Sequence, residues 1–168
     1  MLSSALRVIL TMNRAVADYF ETVADKSAAA AQVVANWIVG GLSAALNKDG
    51  IDIQDSRIAA DALAGLLDRI EDKTISGKIA KEVFDAMWLG EGSADQIIEK
   101  KGLKQITDSA AIEAIVAAVI EANPEQATDY RAGKEKLLGF FVGQVMKETG
   151  GKANPGQVNQ IIRKMLAN

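Results

Sequence analysis

Apolar residues in this chain recur three and four positions apart, and nowhere do they alternate in twos over a useful length. That spacing marks the stripe of an amphipathic helix, which returns to the same face every 3.6 residues. A chain of such stripes hides them by packing helix against helix, so the fold class is read as all-α. Of the 168 residues, 49% are apolar and 24% charged, enough for a packed core. Aromatics are only 5% and alanine is plentiful, so the helices are expected to approach closely and not to pack around large rings.

The punctuation divides the chain into helices. Thr11 is read as the cap of a helix carrying Val16, Tyr19, Phe20 and Val23. Ser27 is read as the start of a long uncharged run through Val34, Trp37, Ile38, Leu42 and Leu46, with Gly50 suited to a left-handed turn at its end. Ile51-Asp52-Ile53 is too short for a sheet. Ala59, Leu63, Leu66, Leu67 and Ile70 share the face of a third helix; Ser76 caps a fourth with Ile79, Val83, Met87 and Trp88, stopping near Gly90. Residues 93–101 form a short fifth. Asp108 or Ser109 starts a sixth with Ile112, Val116 and Val119, and Asn123-Pro124 ends it and begins the next. The last two helices are placed at 134–149 and Pro155–Leu166, with Asn154 capping the second. The helix-poor stretch 102–107 is the expected seam between a five-helix unit and a three- or four-helix unit. A unit of ~60 residues buries only about 60% of its unfolded surface, so the smaller one is expected to be modestly stable.

The chain has no histidine and no cysteine, which removes an imidazole base, a thiol nucleophile, a disulfide and a thiolate metal site from its own residues. No GxSxG occurs, and serines 27, 76, 93 and 109 read as caps. Glu71-Asp72 reads as a solvated helix end, and Trp37 and Trp88 as core. No intrinsic catalysis and no cofactor are expected in this chain. The opening MLSSALRVIL lacks a basic segment before its apolar run, so it is a poor signal peptide. The uncharged run from residue 27 to 46 carries Gln32, Asn36 and Ser43 and reads as a buried helix, so no membrane role is expected and the cytoplasm is the expected location.

Charge is unevenly spread. The chain carries −3 overall, but from Arg131 onward it holds seven basic and two acidic residues, a net of +5, which leaves −8 for the first 130. A basic end on an acidic body suits an end that meets phosphates; ordinary solvated lysines would look the same. On a helical wheel Lys136, Gly143 and Lys147 share one face, with Leu138, Phe141 and Val145 opposite. Glycine in a helix interior costs ~1 kcal/mol against alanine, so Gly139 and Gly143 need a reason. Either they let another helix pack tightly, or they let a sugar–phosphate strand approach between lysines. Phe140 falls toward the basic side, where it can stack on a base or make a contact between units. Gly150-Gly151-Lys152-Ala153-Asn154-Pro155 reads as a flexible turn whose following helix start can hold a phosphate, or as a plain loop. The candidate phosphate-contacting residues are Arg131, Lys134, Lys136, Gly143, Lys147, Lys152 and Asn154.

Several segments, in order, resemble one family: LTMNRAVADYFE (10–21), ANWIVGGLSAALNKDG (35–50), TISGKIAKEVFDAMW (74–88), EKKGLKQITD (99–108) and RAGKEKLLGFFVGQVMKETGGKANPGQVN (131–159). They are similar to the C-terminal region of the B-type subunit of the aspartyl/glutamyl-tRNA(Asn/Gln) amidotransferase, and the similarity covers nearly everything after residue 10. It implies a helical domain at 10–104 and a three-helix Yqey-like tail at 105–168, two consecutive small bundles. It further implies a tail that grips the outer corner of tRNA in a glutamine-dependent, ATP-dependent carbon–nitrogen ligase. In the family a cradle domain holds the ATP and magnesium site, an A-type amidase subunit supplies ammonia, and a small C-type subunit joins the complex. Nothing in this sequence resembles the cradle, so the chain is expected to be a non-catalytic part. A stand-alone Yqey-like protein-interaction module, docking through Gly139, Gly143 and Phe140, is the other expectation.

Overall fold

The structure is a computed structural model that describes Arg7, Val8, Thr11 and residues 13–167. Most of the apolar opening stretch therefore lies outside the described residues. The chain divides into two compact units, Met1–Leu103 and Lys104–Asn168. It is all-α, as its periodicity requires; among the described residues the one trace of strand pairing is an isolated bridge between Ile106 and Ala153.

The N-terminal unit begins with α1 (Arg14–Lys26). Its cap is Asn13, whose side chain accepts from the Val16 amide at 3.1 Å. Thr11 is not the cap expected of it: its hydroxyl donates to the carbonyls of Arg7 and Val8, both 3.0 Å away, as a threonine inside a helix does. Ser27 is likewise not a start. It closes α1, donates its hydroxyl to Asp68 at 2.8 Å and accepts from the Ala29 amide, and the next helix begins four residues later. That helix, α2 (Ala31–Trp37), passes through a π turn (Ile38–Leu42) into α3 (Ser43–Asp49). Gly40 and Gly41 sit in the wide turn, and Ser43 bonds the Ile38 carbonyl through its hydroxyl at 2.7 Å. Gly50 ends α3 in the left-handed conformation (φ 65°). A single 3-10 turn at Ile53–Asp55 follows.

Then come α4 (Ala60–Glu71), α5 (Gly77–Trp88) and α6 (Ala94–Lys100). Ser76 caps α5, and Ser93 caps α6 in a reciprocal pair with Gln96. These helices bury one another's apolar stripes: Val23, Val34, Leu42, Leu63, Leu67, Ile79, Val83 and Ile97 are all at most 1% exposed. Tyr19 anchors α1 by donating its hydroxyl to the Ile58 carbonyl at 2.8 Å.

The C-terminal unit holds four helices, one more than the three the family resemblance implied: α7 (Ser109–Ala122), α8 (Pro124–Arg131), α9 (Leu137–Glu148) and α10 (Pro155–Leu166). The additional one is α8, which the Asn123-Pro124 break allows to form and then stop after two turns. Asp108 caps α7 and Ser109 is its first residue, so Ser109 is not itself a cap. Ile112, Val116, Phe141, Val145, Val158 and Ile162 form the core, with no measurable exposure.

Two outcomes test this packing. Burial pushes the Tyr19 phenol above its ordinary value of 10.0, an effect partly offset by a hydrogen bond with Ser56. The folded state thus favours the neutral phenol, so the stabilisation is complete below the unfolded pKa and declines as pH rises above about 10. Urea melts across alkaline pH should show a steeper loss for the wild type than for Tyr19→Phe. In the C-terminal unit Phe141→Ala should cost about 3–5 kcal/mol, which a unit of this size cannot spare. Hydrogen exchange should show amides of 109–166 losing protection while those of α4 and α5 keep theirs.

Candidate functional site

The rotation of α9 is set by its apolar pair, Phe141 and Val145, one turn apart and fully buried. With that face turned inward, Gly139, Gly143 and Lys147 are exposed along the opposite side, and Lys136, also exposed, stands at the helix cap. These four positions fall within an arc of about 80° and span roughly 16 Å, from the 100° and 1.5 Å that separate helical residues. The two readings of the glycines separate here. A Cβ built on Gly139 or Gly143 meets nothing within 4 Å among the described residues, so neither glycine makes room for a packed helix. Phe140 is not displayed on this face; it is half-buried, packs on the core of the unit and meets the Phe141 ring edge-on at 5.4 Å.

The remaining candidates are placed differently from expectation. The helix starts at Leu137, not near 134, because residues 132–136 are spent in a turn after α8. Lys134 sits in that turn with its ammonium on Asp129 at 2.8 Å, so it is off the α9 face and its charge is locally matched. Arg131 ends α8 and donates from Nε to the Leu166 carbonyl at 3.2 Å, tying α8 to the end of α10.

The loop before α10 is held, not flexible. Buried Thr149 donates to the Val145 carbonyl at 2.9 Å and accepts from the Ala153 amide, and the Lys152 carbonyl accepts from the Ile106 amide at 2.8 Å. Lys152 is half-buried, with its side chain lying back over Gly150. Nor are the first amides of α10 free for a phosphate. The Asn154 side chain accepts from both Gly156 and Gln157, at 2.9 and 3.2 Å. Asn154 is therefore a cap, and the members of the expected set that share one open face are Lys136, Gly143 and Lys147, with Gly139 beside them.

A second feature escaped the sequence reading. Trp88 is core, as expected, and Trp37 packs half-buried against that core, yet both also line a groove of about 1320 Å³ in the N-terminal unit. Trp37 meets Phe84 at 5.7 Å, and Phe84 stacks on Trp88 at 6.2 Å. The Trp88 indole N–H donates to Asp49 at 2.9 Å, and the Arg57 guanidinium lies 5.8 Å over the Trp88 ring while pairing with Asp49 at 3.0 Å. No local pattern signals it, because its walls come from separate helices, the α2–α3 rod ending at Asp49 and α5 beginning at Gly77.

A family model described as the GatB domain, of the GatB and Yqey group, matches residues 18–166. The chain belongs to this GatB/Yqey family. Three relatives are named as the B-type subunit of the aspartyl/glutamyl-tRNA(Asn/Gln) amidotransferase. The one from Thioalkalivibrio sulfidiphilus is 61% identical over 158 residues, 94% of this chain and 33% of the relative. The one from Hydrogenovibrio crunogenus is 60% identical over 157 residues, and that from Coxiella burnetii 56% over 160, each covering 94% of this chain and 33% of the relative. The GatB domain described here thus spans about one third of the length of these relatives, and it corresponds to their C-terminal region. No described helix is long and apolar enough to cross a membrane.

If Asn154 of this GatB domain is a cap and nothing more, Asn154→Ala should lower stability by about 1 kcal/mol. Thermal melts and RNA titrations on the same samples would check this: melting temperature should fall while the salt dependence of any RNA binding stays unchanged.

Proposed function

We propose that this chain is the non-catalytic, tRNA-positioning region of a glutamine-dependent amidotransferase that converts Asp-tRNA(Asn) or Glu-tRNA(Gln) to Asn-tRNA or Gln-tRNA. The observation that carries the reading is the open face of α9, where two exposed glycines lie between Lys136 and Lys147. A side-chain-poor strip lets a phosphate backbone come close to the helix, and the two ammonium groups supply the attraction. Membership in the family and the names of the relatives support the choice of substrate class.

In this reading the ATP- and magnesium-dependent chemistry belongs to a domain outside this chain, with ammonia supplied by the A-type amidase subunit and the small C-type subunit completing the complex. A grip on a few phosphates is weak alone, with a Kd on the order of 10⁻⁴–10⁻⁶ M and a strong salt dependence. It becomes useful through effective concentration, once another domain holds the acceptor end of the same tRNA. Its contribution is placement by shape, not by base sequence.

A second reading, a protein-interaction module, draws support from an apolar groove of about 450 Å³ between α7 and α9. Ile115, Ala118 and Val119 line it, and Gln144 and Glu148 edge it. A titration of labelled tRNA against the chain separates the two. Lys136→Glu/Lys147→Glu should weaken binding at least tenfold at low salt and flatten the log–log salt slope by about one per lysine. Gly143→Leu should weaken it severalfold without lowering the melting temperature, since the position is open and leucine is the better helix former. Unchanged affinity in both variants would remove α9 as the contact and leave the interaction module.

A further inference from the structure

The groove of the N-terminal unit has a lining and a rim of different chemistry. Its apolar lining combines Gly40, Gly41, Ala44 and Ala45 with the Trp37–Phe84–Trp88 row. Leu89, 72% exposed, stands at one end. A Cβ at Gly40 would meet nothing within 4 Å, so the groove is open at this position. The rim carries Lys48, Lys78 and Lys81, all exposed and without an ion pair among the described residues, against one such carboxylate, Asp85. Arg57 and Asp49 offset each other. The groove as a whole is thus net +2, while the first 103 residues carry eleven basic and fifteen acidic side chains, a net of −4. Positive charge has been gathered around apolar surface on an otherwise acidic body.

We propose that this groove is a docking site for an acidic amphipathic helix of a protein partner. Small residues one turn apart let a second helix backbone approach closely, as ridges settle into grooves. Its apolar stripe would cover Leu89, the exposed part of Trp37 and the small residues beside them, and its glutamates or aspartates would meet Lys48, Lys78 and Lys81. A nucleic-acid strand fits less well. The Trp88 ring is 9% exposed, stacked by Phe84 and overlain by Arg57, which leaves little of it for a base, and the exposed Asp85 carboxylate beside it opposes a phosphate. Every residue involved lies in the N-terminal unit, so the docking site stands or falls independently of the tRNA reading.

The probe is a synthetic helix-forming peptide of about 16 residues, long enough to form four turns. It carries leucine at i, i+3, i+4 and i+7 and glutamate on the flanking positions. A mate with lysine at each glutamate, and single-stranded oligo-uridine, serve as the other probes. Binding to the full chain is followed by peptide anisotropy and by the indole signals of Trp37 and Trp88. The glutamate peptide should bind at low salt and perturb both indoles. Lys78→Glu/Lys81→Glu should weaken it at least tenfold, and Gly40→Phe, whose Cβ would enter open space, should do the same. The lysine peptide and oligo-uridine should not bind there. The proposal is overturned if the glutamate peptide does not bind, if the lysine peptide binds equally well, if the charge reversal leaves affinity unchanged, or if oligo-uridine displaces the peptide.

Discussion

The C-terminal unit turns on the burial of one ring. Phe141 has no measurable exposure and lies among Ile112, Val116, Val145 and Ile162, in a unit whose other core members are aliphatic. A ring of that size, with Val145 one turn away, leaves α9 one rotation about its axis. Every exposed position on α9 then follows. The lysines and glycines face out because the phenyl group must face in. The surface of this helix is therefore specified by an apolar contact on its far side, and the exposed face and the folding core are two readings of one rotation.

Much of this was legible because helix ends are local. Asn154, Ser76, Ser93 and Asp108 announce caps within three residues, and Gly50 announces a left-handed close. The errors arose where two neighbours offered the same chemistry. Thr11 and Asn13 can each cap; Ser27 can open a helix or close one, and the distant Asp68 carboxylate decides for closing. On the candidate site, the α9 face was legible from periodicity alone. Arg131, Lys134 and Asn154 were not, because counting charges and amides ignores what those groups are already bonded to. The turn at 132–136 removes Lys134 from the helix, and the Asn154 oxygen takes the amides that a phosphate would need. A residue suited to a ligand is available only after the backbone has been satisfied.

Aromatic residues illustrate the opposite limit of sequence reading. Trp37 and Trp88 sit on apolar helical faces, and burial is the natural inference. Both are indeed largely withdrawn from water, yet their edges, with Phe84, form the wall of an open trough. Arg57 and Asp49 hold the Trp88 part of that wall, one by lying over the indole ring and the other by accepting its N–H. Whether a large ring is interior or wall depends on what covers it from elsewhere in the chain, and here that side is left to glycines and alanines.

The π turn at Ile38–Leu42 has an arithmetic meaning. Such a turn holds one residue more than helical pitch accommodates, and each residue is worth about 100° of azimuth. Asp49, seven positions beyond its end, is aimed by that surplus. Take one glycine out of the turn, and the downstream half of the rod would swing by about a quarter of a circle, carrying the carboxylate away from both the indole and the guanidinium that it joins. A length variant at this point would thus be read far from where it occurs, as a bracket that no longer closes.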